Sequence, residues 1–131
     1  MARVLVVDDD PDLLALIEIQ LRHHGHTVAT APSGPDALAL VADRGAPEIA
    51  VLDVAMPAMN GFELFHAFRD QKDLPEFPII FLSARVTPRD VEAGRALDAI
   101  YLTKPYVMNA LLEAIRNSLE AAQEKAAASG W

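Results

Sequence analysis

Three aspartates, a serine and a lysine in this sequence stand where they could share one chemistry, the handling of a phosphoryl group. Asp8 and Asp9 follow the β-branched apolar run Val4-Leu5-Val6-Val7, and Asp53 ends the run Ile49-Ala50-Val51-Leu52. Ser83 closes Ile79-Ile80-Phe81-Leu82, and Lys104 follows Ala99-Ile100-Tyr101-Leu102-Thr103. Short apolar runs bounded by turn signals read as strands buried on both faces. In a parallel sheet all four strand ends lie on one edge, the edge where open α/β sheets bind ligands. Three carboxylates beside one ammonium leave a formal charge of −2. Such a cluster is unfavourable unless a carboxylate protonates or a divalent cation joins it. Oxygen ligands without His or Cys select a hard ion, and magnesium accepts few protein ligands plus water. With magnesium present, Asp53 can attack phosphorus as a nucleophile, Lys104 can pair with a phosphoryl oxygen, and Ser83 can hydrogen-bond another. The small side chain of Ala84 leaves room for the incoming group.

The elements that must position these groups follow in order. Asp10-Pro11 reads as an N-cap with proline in the first turn, so Asp10 belongs to a helix start rather than to the acidic cluster. Leu13, Leu14, Ile17 and Leu21 recur at helical spacing, and Gly25 closes that helix. Val28 and its neighbours form a second strand. Ser33-Gly34-Pro35 opens a second helix carrying Ala37, Leu38 and Val41, and Gly61 opens a third carrying Phe62, Leu64, Phe65 and Phe68, read as core. Pro75 and Pro78 interrupt regular helix before the fourth strand. Thr87-Pro88-Arg89-Asp90 reads as the start of a fourth helix, and a fifth begins near Val107 with Leu111, Leu112, Ile115 and Leu119 in one stripe. Five alternations of strand and helix imply α/β architecture, a doubly wound parallel sheet with helices on both faces. One domain is expected over 1–122, with 123–131 a helix end and a fraying tail.

Composition narrows the function classes. A chain of 131 residues fits one compact domain, and a net charge of −8 opposes direct nucleic-acid binding. There is no cysteine, so disulfides and thiolate metal sites are excluded. No apolar run is long enough for membrane insertion, and no secretory signal stands at the N-terminus, so a cytoplasmic location is expected. His23, His24 and His26 flank Gly25 and do not converge as metal ligands; they suit a solvated helix end. His66 reads as surface, and Met56 and Met59 as packing.

The chain resembles the receiver domain of two-component response regulators, in its single-domain, chemotaxis-regulator-like form, over roughly residues 2 to 120. The resemblance rests on Val4-Leu5-Val6-Val7-Asp8-Asp9-Asp10-Pro11, on Asp53 with Met56-Pro57 and Gly61, on Ser83-Ala84, and on Tyr101-Leu102-Thr103-Lys104-Pro105. It implies a flavodoxin-like sheet of order 2-1-3-4-5 with five helices. It implies Asp53 as phosphoacceptor, with a sensor histidine kinase or phosphotransfer protein as donor. Asp8, Asp9, Asp53 and the Ala55 carbonyl would hold Mg2+, Ser83 and Tyr101 would be a switch pair, and Lys104-Pro105 would be cis. The signal would leave by the face of the fourth helix, fifth strand and fifth helix. It would pass to a downstream protein or attached output domain, a dimer being one form.

At a few positions the sequence departs from the family. Asn60 replaces a frequent aspartate, Ala55 and Arg85 occupy positions that vary with phosphate lifetime, and Leu97-Asp98-Ala99-Ile100 replaces a commoner Gly-Ala and acidic pattern. Ile100, where an acid is frequent, would make the output face more apolar and suited to a partner helix. Two other classes compete. A phosphatase-type hydrolase would place a second aspartate two residues after the nucleophile, where Ala55 stands. A nucleotide or flavin binder would carry a Gly-rich turn after the first strand, where carboxylates stand.

Overall fold

The computed structural model describes residues 2–84, 87–89, 92 and 99–129, with side chains to residue 125. Within them five parallel strands form one sheet: β1 (Arg3–Val7), β2 (Thr27–Ala31), β3 (Ile49–Asp53), β4 (Ile79–Ser83) and β5 (Ala99–Thr103), in the order β2-β1-β3-β4-β5. Four helices accompany them among the described residues: α1 (Pro11–His23), α2 (Gly34–Arg44), α3 (Gly61–Arg69) and α4 (Met108–Ser129). Five helices were expected; of the one after Thr87, Pro88, Arg89 and Glu92 are helical, and the rest lies outside the described residues, as do Arg85, Leu97 and Asp98.

Alternation along β1 shows why its sequence is uniformly apolar. Val4 and Val6 enter the core beneath α1 and α4, while Leu5 and Val7 enter the core shared with α2 and α3. Both faces are covered, so neither parity of the strand tolerates a polar side chain. The register then fixes the chemistry. Val7 pairs with Leu52, Asp53 with Leu82 and Ser83 with Thr103, which brings the four strand ends to one edge.

Helix starts follow local chemistry. Asp10 accepts the Asp12 and Leu13 amides, as its place before Pro11 predicts. Ser33 caps α2, and Asn60 caps α3 in a reciprocal pair with Glu63, which gives the residue in place of the family's aspartate a local reason. Gly25 adopts φ 90 at the end of α1, as expected of a closing glycine.

The last helix buries Leu111, Ala114 and Ile115, with Ser118 also buried, and half-buried Leu112 and Leu119 pack against the same core. The helix runs through Ser129. One expectation needs correction. His26 is half-buried and its Nδ1 accepts the Ala2 amide at 3.2 Å, so it ties the N-terminus to β2 rather than capping a solvated helix end. Ile100 is half-buried and packs against the core beneath α4. Its even parity in β5 places it there, on the side opposite Tyr101.

Candidate acidic phosphoacceptor site

At the sheet edge the carboxylates differ in burial. Asp8 is fully buried, Asp53 is 3% exposed, and Asp9 is exposed. Asp8 is held from both sides of the chain: its own amide donates to the Ala31 carbonyl at 3.2 Å, and its Oδ1 accepts the Asp10 amide at 2.9 Å. Asp53 Oδ1 accepts the Ala55 amide at 3.3 Å. Lys104 Nζ lies 2.7 Å from Asp8 Oδ2 and 3.2 Å from Asp53 Oδ1, so one ammonium serves both buried carboxylates.

The compensation is incomplete. Burial, then the charge of Asp8, pushes the Asp53 carboxyl up to about 6, against the opposing pull of Lys104 and the Ala55 amide. Burial acts to lower the Lys104 ammonium, but its contacts with Asp8 and Asp53 outweigh that and raise it. Lys104 therefore stays charged at neutral pH and the carboxylates carry the excess.

One oxygen from each of Asp8, Asp9 and Asp53 lies within 4.8 Å of the others, which suits a cation with oxygen ligands. Apart from the Lys104 ammonium, buried Asp8 Oδ2 has no donor among the described residues. An acidic pocket in which two buried carboxylates share one ammonium, with no nitrogen or sulfur ligand in the cluster, fits a hard divalent ion.

Ser83 ends β4, and its carbonyl accepts the Lys104 amide at 2.7 Å, so the serine and lysine strand ends are locked together. Ala55 is exposed in the loop after Asp53. Lys104-Pro105 is cis. Tyr101 faces inward: its ring centroid lies 5.2 Å from that of Phe81 and 6.1 Å from that of Phe62, and its hydroxyl is buried. Phe65 and Phe68 are core, Phe62 is half-buried against Phe81, Met56 is buried, and His66 is exposed. Three contacts that shape the site had gone unassigned. The Tyr106 hydroxyl donates to Gln20 Oε1 at 2.9 Å, linking the loop after Lys104 to α1 across 86 residues of sequence. Gly61 lies against the Asp53 backbone, where a β-carbon would come 2.6 Å from the Asp53 carbonyl oxygen. Gly34 lies against Met59. Glycines beside helix-start signals hinted at the last two; nothing in the sequence marks the first.

Comparison with known proteins agrees with this geometry. The family model described as the response regulator receiver domain matches residues 4–116. Protein PilH of Pseudomonas aeruginosa is 34% identical over 116 residues, covering 88% of this chain and 95% of PilH. The transcriptional regulatory protein PrrA of Mycobacterium tuberculosis is 41% identical over 115 residues, but this chain spans only 48% of its length. The solved chemotaxis protein CheY4 of Vibrio cholerae superposes with a TM-score of 0.81 at 33% identity, covering 90% of this chain and 98% of that one.

Proposed function

This chain belongs to the response regulator receiver domain family, a family of phosphorylation-switched signalling modules, and from that premise we propose that Asp53 is its phosphoacceptor. The observation that carries the proposal is the sharing of Lys104 between buried Asp8 and buried Asp53 at the sheet edge. In the proposed step Asp53 Oδ attacks the phosphorus of a phosphohistidine on a sensor kinase or phosphotransfer protein. The new P–O bond forms as the P–N bond breaks, and the leaving imidazole takes a proton from the medium. Lys104 then turns its ammonium to a phosphoryl oxygen, and the Ser83 hydroxyl donates to another. Because these groups belong to the receiver, it accelerates its own phosphorylation from a small donor and the later hydrolysis, without being an enzyme acting on a separate substrate.

Asp8, Asp9, Asp53 and the Ala55 carbonyl would hold Mg2+. When bound, the ion would offset the charge of the carboxylates and of the transferring phosphoryl oxygens. Ser83 and Tyr101 form the proposed switch pair. Movement of the serine hydroxyl toward the phosphoryl group changes the space beside Tyr101 and so the face of β5 and α4. Readers of that face are a downstream protein or an output domain; a dimer is a third form. The receiver unit is assigned to 1–122, with 123–131 as helix end and tail, acting in the cytoplasm without direct contact to nucleic acid. No helix among the described residues is long and apolar enough to cross a membrane.

The test is incubation with a small phosphodonor and Mg2+, read by intact mass. One phosphoryl group, stable in acid and labile in base, should appear in the parent and be lost in Asp53→Asn. Undiminished uptake by Asp53→Asn would reject Asp53 as acceptor.

A further inference from the structure

We propose that Met59, seated in the notch that Gly34 leaves at the start of α2, is a positioning residue for the acceptor carboxylate. The inference rests on the phosphoacceptor reading of Asp53. A β-carbon on Gly34 would stand 2.6 Å from Met59 Sδ, 2.9 Å from Cγ and 3.0 Å from Cβ, so the methionine side chain fills the space that a larger residue would take. Gly34 is buried and its φ is not positive, so it is space and not backbone freedom that calls for glycine here. The contact joins α2 to the loop that leaves Asp53.

That loop needs an external hold. Ala58 has φ 67, the left-handed region that an L side chain enters at a cost, and the Met59 amide donates to the Pro57 carbonyl at 2.7 Å across it. The turn therefore stores strain directly before Met59. At its far end the loop is tied to the site: the Ala55 amide donates to Asp53 Oδ1, and the Gly61 amide donates to the Val54 carbonyl at 3.1 Å. Met56 is buried and anchors the first half of the loop, before Pro57. Met59 belongs to the turn itself. With its side chain held on Gly34, the turn keeps its strained conformation; released, the turn relaxes and displaces the Ala55 peptide from the carboxylate it orients.

The experiment compares Gly34→Ala, Met59→Ala, Met59→Leu, the double variant Gly34→Ala/Met59→Ala, and Met59→Ala/Ala58→Gly. Two quantities are read: the rate of phosphoryl uptake from a small phosphodonor with Mg2+, and the amide NMR shifts of Ala55 and Ala58 without donor or metal. Met59→Ala and Gly34→Ala should each slow uptake by about tenfold to a hundredfold, the range of a small misplacement of a reacting group. The double variant should be no slower than either, and Met59→Leu should stay near the parent. Ala58→Gly should restore most of the rate to Met59→Ala, because glycine holds the left-handed turn without the methionine. A merely structural role for Met59 would not be rescued at Ala58. A parental rate and parental Ala55 shifts in Met59→Ala would overturn the proposal, as would a parental rate in the double variant, which would mean that Gly34 only makes room. Absence of rescue by Ala58→Gly would overturn it too. If Gly34→Ala fails to fold, the Met59 and Ala58 variants decide alone. A parent that takes up no phosphoryl group would refute the acceptor reading, while the Ala55 shifts would still report whether Met59 holds the loop.

Discussion

Lys104 stands between two buried carboxylates, and the pocket's behaviour with pH follows from that shortage of positive charge. The Asp53 carboxyl, raised by burial and by Asp8 to about 6, binds its proton more tightly in the folded chain than in the unfolded one. The group's stabilising contribution is therefore complete below its ordinary value and is lost as pH rises through about 6. Without metal, thermal stability should fall between about pH 4 and pH 6 by an amount traceable to this residue. Asp53→Asn, which never ionises, should lack that decline and exceed the parent at neutral pH. Melting temperatures of the two proteins across this range in a chelating buffer provide the check; parallel curves would show that Asp53 ionises without penalty. That Asp53 sits on a strand end was legible in its sequence, since four apolar residues lead into it. The sharing of one lysine was not, because the 2.7 Å and 3.2 Å contacts join residues from three separate strand ends.

Between elements, the α3 start lies close against the end of β3. The Gly61 amide reaches the Val54 carbonyl, and the absent side chain leaves space for the Asp53 peptide. In Gly61→Ala the new carbon would meet backbone at 2.6 Å, and backbone cannot swing aside as a flexible side chain can. We expect a loss of about 1–3 kcal/mol, in the range of overpacked cores, together with slower phosphoryl uptake as β3 shifts. Urea unfolding and the uptake rate measure both; full stability with full activity would show that α3 moves away freely. Sequence patterning located α3 correctly because Gly61 and the helical spacing of Phe62, Leu64, Phe65 and Phe68 are local signals. It did not place Ile100 against the core, since the side of the sheet a β5 side chain faces depends on register with β4, where Ile100 lies opposite Ile80.

For the whole molecule, the acidic edge couples metal to folding. The native chain gathers Asp8, Asp9 and Asp53, whereas the unfolded chain disperses them, so a cation that bridges them stabilises the fold by mass action. A hundredfold excess of Mg2+ over its dissociation constant should add about 2.7 kcal/mol. Asp9 is exposed and contributes little packing, so Asp9→Ala should remove this gain while leaving the fold intact. Calorimetric melting with and without Mg2+ tests it, and a parent whose melting ignores the ion would contradict a metal pocket assembled from these carboxylates.

The linear sequence by itself determined the alternation of strands and helices, the helix cap at Asp10, the helix starts at Ser33 and Gly61, and the identity of the strand-end residues. These are local properties: apolar run length, capping chemistry and turn residues act over a few neighbours. The family resemblance supplied the strand order that the pattern alone left open, and the sheet has it. Tertiary structure alone decided which carboxylate is buried, how Lys104 divides between two of them, that half-buried Ile100 packs beneath α4, and that Met59 occupies the space at Gly34. Each of these depends on contacts between segments distant in sequence, and on distances of a few tenths of an ångström that no residue pattern encodes.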